Sequence, residues 1–153
     1  MASSSSNVTS RKVFVNLSVK DLASSVAFWT TLGFEFDARF TDEHAACMLL
    51  SDEGFVMLLD EPRFKDFTKK AIAVAATHTE VINALSAGSR EEVDELVRRA
   101  LANGGKPAND PIDYGFMYST SFFDLDGHHW EVMWMEPAAV EQGPEAYMAA
   151  QQG

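Results

Sequence analysis

The sequence predicts an α+β protein made of two βαβββ modules in tandem. Three observations lead there. Most apolar segments alternate at the period of a strand; two stretches carry a strong helical stripe instead; and each stripe follows one strand and precedes three. With 153 residues, 46% of them hydrophobic, the chain can bury a core of domain size.

The opening MASSSSNVTS, residues 1–10, is expected to be a disordered tail because Ser and Asn bury nothing. KVFVNLSV then alternates. Val13, Val15, Leu17 and Val19 form an aliphatic face suited to packing on helices, and Phe14, Asn16 and Ser18 form a mixed face on the other side. Asp21 stands where a helix N-cap belongs, and Leu22, Val26, Phe28, Trp29 and Leu32 recur at helical spacing up to Gly33. Three strand segments follow, FEFDARF, AACMLLS and GFVMLLD, across the turn-rich TDEH and DEG. They complete a first module over residues 11–60. Residues 61–79 have no clear period and are expected to form a linker.

EVINALSA opens a second module over residues 80–136, and Ser89 with Glu92 three residues on makes a capping box. Val93, Leu96, Val97 and Leu101 line one helix face until Gly104 and Gly105. An extended KPAND, then GFMYSTSFF, then HHWEVMWM after the turn Asp126-Gly127 complete the repeat. Residues 137–153, broken by Pro and Gly, are expected to be a loose extension with one or two helical turns after Gly143. Both helical stripes are read as core.

Two of these segments carry a family resemblance. VNLSVKDLASSVAFWTTLGFEF resembles the opening of the vicinal oxygen chelate superfamily, where a strand leads through Val-x-Asp-Leu into a helix ending in Phe-aromatic-x-x-Leu-Gly-Phe. FFDLDGHHWEV resembles that superfamily's closing hairpin, a Phe-x-Asp-x-Asp-Gly turn feeding a strand that carries a glutamate. Lactoylglutathione lyases, bleomycin-resistance proteins, fosfomycin-modifying enzymes and extradiol dioxygenases belong to it. The resemblance implies paired modules whose curved mixed sheets form an open cleft, a homodimer, and one divalent metal held by His and Glu side chains of both modules. Laid on that pattern, the metal positions fall on Phe14, Leu58, Ile82 and Glu131. Only Glu131 has a lone pair to give, and a divalent ion needs about three or more protein donors. No metal and no cofactor is therefore expected.

Strand alternation also places His129, Glu131 and Met133 on one face and Trp130, Val132 and Trp134 on the other. The candidate ligand-binding set is thus Phe14, Asn16, Leu58, Ile82, Tyr118, His129, Glu131 and Met133, apolar walls with a few polar groups, the usual profile of a small-molecule site. By resemblance, the bleomycin-resistance proteins, which sequester a compound without altering it, are the nearest analogue. His129 and Glu131 are read as polar residues satisfied by hydrogen bonds. The rival is a metal-dependent lyase or dioxygenase with a displaced site around His129 and Glu131, joined by Asn16 or His44, with Glu131 as ligand and general base. A third reading is a protein that acts only through partner contacts. His44 and His78, near turns and linkers, are read as surface residues, and His128 as solvated or packed at its hairpin.

Other chemistries find no support. Cys47 lies in the apolar run AACMLL, where a thiol is inert, and the serines sit in tails, caps and turns. There is no phosphate loop, paired-cysteine motif or dinucleotide fingerprint. A formal net charge of -11 repels phosphate backbones and anionic lipid surfaces, so neither nucleic acid nor membrane is an expected partner. No apolar run approaches the roughly 20 residues of a bilayer span, and the start lacks the apolar stretch of a signal peptide. With a single cysteine and no internal disulfide to form, a cytoplasmic location is expected.

Overall fold

The computed structural model describes residues 7–152. Most of the tail expected over 1–10, namely residues 1–6, lies outside the described residues. The architecture is α+β with two mixed sheets. The chain divides into two compact units, one running to Ile72 and the other starting at Ala73. No described helix is long and apolar enough to cross a membrane.

The first unit contains β1 (Val13–Val19), α1 (Leu22–Thr31), β2 (Glu35–Phe36), β3 (Ala45–Leu49), β4 (Gly54–Asp60) and α2 (Glu61–Lys65). Its strand order is β1-β4-β3-β2, with β1 parallel to β4 and the other pairs antiparallel. Asp21 caps α1 by accepting the Ser24 N–H at 3.0 Å. Leu17, Val19, Ala46, Met48, Val56 and Leu58 share one sheet face by register and are all buried. Phe28, Trp29 and Leu32, from α1 and its C-terminal end, belong to the same core, as the stripe predicts. Residues on the opposite face include Phe14, Asn16, Phe55, Met57, Cys47 and Leu59.

Two expectations for this unit need correction. FEFDARF is not one strand: β2 stops after Phe36, because the Asp37 carboxylate accepts the Arg39 N–H and starts a 3-10 turn over Ala38–Phe40. The stretch after β4 is not irregular throughout. Asp60 caps α2 through the Arg63 N–H at 2.9 Å, and Pro62 is preset for a first helical turn.

The second unit contains β5 (Ile82–Ser86), α3 (Arg90–Ala102), β6 (Lys106–Pro107), β7 (Ile112–Asp113), β8 (Met117–Phe123), β9 (His129–Met135), α4 (Pro137–Gln142) and α5 (Pro144–Gln151). The order β5-β9-β8-β6 repeats that of the first sheet, and the short β7 also pairs with β8. Ser89 caps α3 by accepting the Glu92 N–H at 3.1 Å. The helix side of this sheet is fixed by contacts: the Tyr118 hydroxyl donates to Asp94 of α3 at 2.6 Å, and Arg90 of α3 sits over the rings of Tyr118 and Trp134. Trp130, Val132 and Phe122 share that side and are fully buried with Val93 and Ala100. The C-terminal extension is more ordered than expected, because Pro137 and Pro144 each open a helix and Gly143, at φ 88, joins them.

Candidate functional site

The two sheets correspond residue by residue. Phe14 and Ile82 stand at the same sequence distance before the helix caps Asp21 and Ser89, and each lies in a parallel pairing with the strand beside it, Phe14 opposite Phe55 and Ile82 opposite His129. Asn16 pairs with Met57 in the first sheet, and Ala84 with Glu131 in the second. Met57 is therefore the first unit's counterpart of Glu131. This corrects the placement of Leu58. It pairs with Leu17 on the helix side, is 0% exposed, and cannot line a surface with Phe14 and Asn16.

On the remaining face of the first sheet, Phe14 is 50% exposed and its ring stacks on Phe55 at 4.8 Å. Asn16 is tied to its own strand, its Nδ2 donating to the Phe14 carbonyl at 3.1 Å. A groove of about 660 Å³ opens near Phe55, Leu49, Lys12 and Arg39. Its cations are already engaged. Lys12 donates to the Asp52 carbonyl at 2.9 Å and Arg39 forms a two-point contact with Asp37.

In the second sheet, the face turned away from α3 carries Ile82 and Ala84 of β5, His129, Glu131 and Met133 of β9, and Ser119, Ser121 and Phe123 of β8. Ile82 is 52% exposed, whereas His129 is 7% exposed with its ring edge-on to Phe123 at 5.2 Å. Glu131 is half-buried on the middle strand and makes no hydrogen bond or ion pair among the described residues. The expectation that His129 is satisfied by hydrogen bonds is not met: its Nε2 is buried with no partner. Tyr118 does not belong to this surface. It faces α3, where its hydroxyl is held by Asp94, which pushes its pKa up. Its neighbours Ser119 and Ser121 face the site instead. They went unseen because GFMYSTSFF offers no face that is plainly apolar, although anchoring its parity on the aromatic Phe122 would have exposed them.

The hairpin before Glu131 is held by one carboxylate. Asp124 Oδ1 accepts the backbone N–H groups of Asp126, Gly127 and His128 at 3.0–3.1 Å, and Oδ2 accepts the Trp130 indole N–H at 2.9 Å. Burial pushes this carboxyl above the usual carboxylate range, against the lowering effect of His128 and these donors. Asp124 thus sets the start of β9, and with it the parity that aims Glu131. A pocket of about 270 Å³ lies beside this turn, between it and residues 75–79.

The donors present do not fit a divalent ion at the positions the resemblance implies. Phe14, Ile82 and, after the register correction, Met57 leave Glu131 as the one oxygen donor there. The displaced alternative gains no support, since His44 is engaged by Asp60 at 2.6 Å and Asn16 by Phe14. Among the described residues no group of three or more His, Cys, Asp or Glu could hold a metal ion.

Comparison with known proteins agrees with the fold. No curated protein matches the chain. Among solved structures, the hypothetical protein SA1046 from S. aureus is 27% identical with a TM-score of 0.69, over 80% of this chain and 92% of that one. The fosfomycin resistance protein FosX from Listeria monocytogenes is 23% identical with a TM-score of 0.59, over 83% and 92%. Lactoylglutathione lyase from Agrobacterium tumefaciens is 20% identical with a TM-score of 0.60, over 83% and 95%. At those identities the last two show a shared fold and no more. The family model matches residues 12–132, so the chain belongs to the Glyoxalase/Bleomycin resistance protein/Dioxygenase superfamily.

Proposed function

We propose that this protein binds a small organic molecule without a resident metal, as a member of its superfamily whose metal site has degenerated to Glu131. One observation carries the reading: of the positions where the superfamily pattern calls for donors, Glu131 alone offers an oxygen or nitrogen, the others being Phe14, Ile82 and the thioether Met57. Each sheet face taken by itself has the composition of a ligand site: on the second, Ile82 and Met133 provide apolar contact beside the polar His129 and Glu131, and on the first, Phe14 and Phe55 do so beside Asn16. A homodimer forms part of this proposal, since a half-exposed Phe14 is better covered than left in water. So does a cytoplasmic location, which suits a buried, unpaired Cys47.

Elemental analysis of the dialysed protein, run beside native mass spectrometry, tests the reading. The expected result is metal far below one equivalent per chain and a small organic molecule retained or accepted. About one equivalent of Zn, Ni, Mn or Fe per chain overturns it.

A further inference from the structure

We infer that the ligand brings its own cation: an organic molecule with an N–H-bearing positive group, a primary ammonium, amidinium or guanidinium, attached to an apolar body. This rests on the small-molecule reading above and names the class of molecule. Two independent observations converge on the same sheet face. Glu131 is a half-buried carboxylate with no hydrogen bond or ion pair among the described residues, and no Asp, Lys, Arg or second Glu shares β9 or β5 with it. A carboxylate removed from water without a partner is costly, so a matching charge from a ligand is favoured there. His129 leaves the same strand on the same face, is more than nine-tenths buried, and has an unpartnered Nε2.

A cation with several N–H groups satisfies both. One N–H donates to the Glu131 carboxylate and a second to a lone pair on His129 Nε2. A quaternary ammonium has no such hydrogen and leaves His129 unmet. A metal ion is disfavoured by the same surroundings, because an organic cation asks for one carboxylate and an apolar wall, not three donors. The neighbours suit the rest of the molecule. By register, Ala84, Ser119 and Ser121 are the small neighbours of Glu131 on this face, and Ile82, Phe123 and Met133 are the apolar ones. The Ser121 hydroxyl is occupied by the Asn109 N–H at 2.9 Å, so it does not compete for the ligand.

Titration calorimetry with a matched panel tests this: phenethylamine, benzamidine, phenethyltrimethylammonium, phenethyl alcohol and phenylacetate. Phenethylamine and benzamidine should bind tightest, with the alcohol and the quaternary ion weaker by about tenfold or more and phenylacetate not detected. Glu131→Gln, whose unchanged melting temperature would show the fold intact, should bring the two amines down to the level of the alcohol. His129→Phe should narrow the gap between phenethylamine and its quaternary analogue while leaving the gap to phenylacetate. If the alcohol or phenylacetate binds as well as the amines, or Glu131→Gln leaves amine affinity unchanged, the cation inference fails and the small-molecule reading stands. If no member of the panel binds, or the protein takes up one equivalent of metal instead, both fail.

Discussion

The two units share a strand order, a helix cap at the same spacing and a parallel pair of the same register, yet they differ in what they place at equivalent points. Where the second sheet has Ala84 beside Glu131, the first has Asn16 beside Met57; where the second has Ile82 beside His129, the first has Phe14 beside Phe55. The hairpins differ in the same sense. Ser51 holds the first with an exposed hydroxyl that accepts from Glu53 and Gly54, and Asp124 holds the second with a buried carboxylate that accepts four N–H groups. At these points the repeated backbone thus carries its ionisable groups, His129 and Glu131, in one copy and the aromatic Phe55 and thioether Met57 in the other. The second copy needs a more demanding turn because the aim of one side chain depends on it.

That contrast is sharpest at the two turn residues. Asp124→Ala strands three part-buried backbone donors and a buried indole N–H and should cost about 3 kcal/mol or more in chemical denaturation, whereas Ser51→Ala should cost about 1 kcal/mol or less. Equal costs would show that the hairpins are equivalent after all. A further comparison lies in two glycines of the second unit, both at positive φ. A Cβ at Gly127, φ 98, would lie 2.7 Å from the Ala75 carbonyl oxygen, while one at Gly115, φ 80, meets nothing within 4 Å. Gly127→Ala should therefore cost about 2 kcal/mol or more and Gly115→Ala about 1 kcal/mol, the second being conformational strain alone. Matching values in thermal denaturation would mean that residues 75–76 yield freely.

The smallest effect belongs to the first unit and is electrostatic. The bond between His44 Nδ1 and Asp60 raises the His44 pKa above its ordinary 6.5 and lowers that of Asp60 below 3.8. The raised base stabilises the fold fully below pH 6.5 and loses that contribution as pH climbs through its folded pKa. The lowered acid contributes above pH 3.8 and loses its share as pH falls through its folded value. The pair is accordingly at full strength between those limits, and solvent screening keeps it small. The melting-temperature gap between the wild type and His44→Ala should be widest near pH ~5 and narrow toward pH ~9. A gap that widens with rising pH would break the assignment.

Much of this architecture was legible because certain strands have two unlike faces. KVFVNLSV alternates aliphatic with mixed residues and HHWEVMWM alternates large apolar with polar, so Phe14, Asn16, His129, Glu131 and Met133 could each be assigned a face. GFVMLLD is apolar from Gly54 to Leu59 and has no such signal, so its sequence does not tell the Leu58 face from the Met57 face. Tyr118 misled for a related reason. Its ring reads as a ligand wall, but its hydroxyl finds a partner in Asp94, far off in sequence. Nor could spacing reveal that His129 lacks a partner, because a missing hydrogen bond is a property of the packed neighbourhood.

Cys47 has a practical consequence. It sits inside β3 between neighbours, its amide bound to Thr41 and its carbonyl to Asp37, and burial pushes its thiol pKa up. Such a sulfur is unreactive while the strand stays paired. As the single cysteine of the chain, it makes thiol labelling a stopwatch for the opening of the first sheet, read without tagging or mutation.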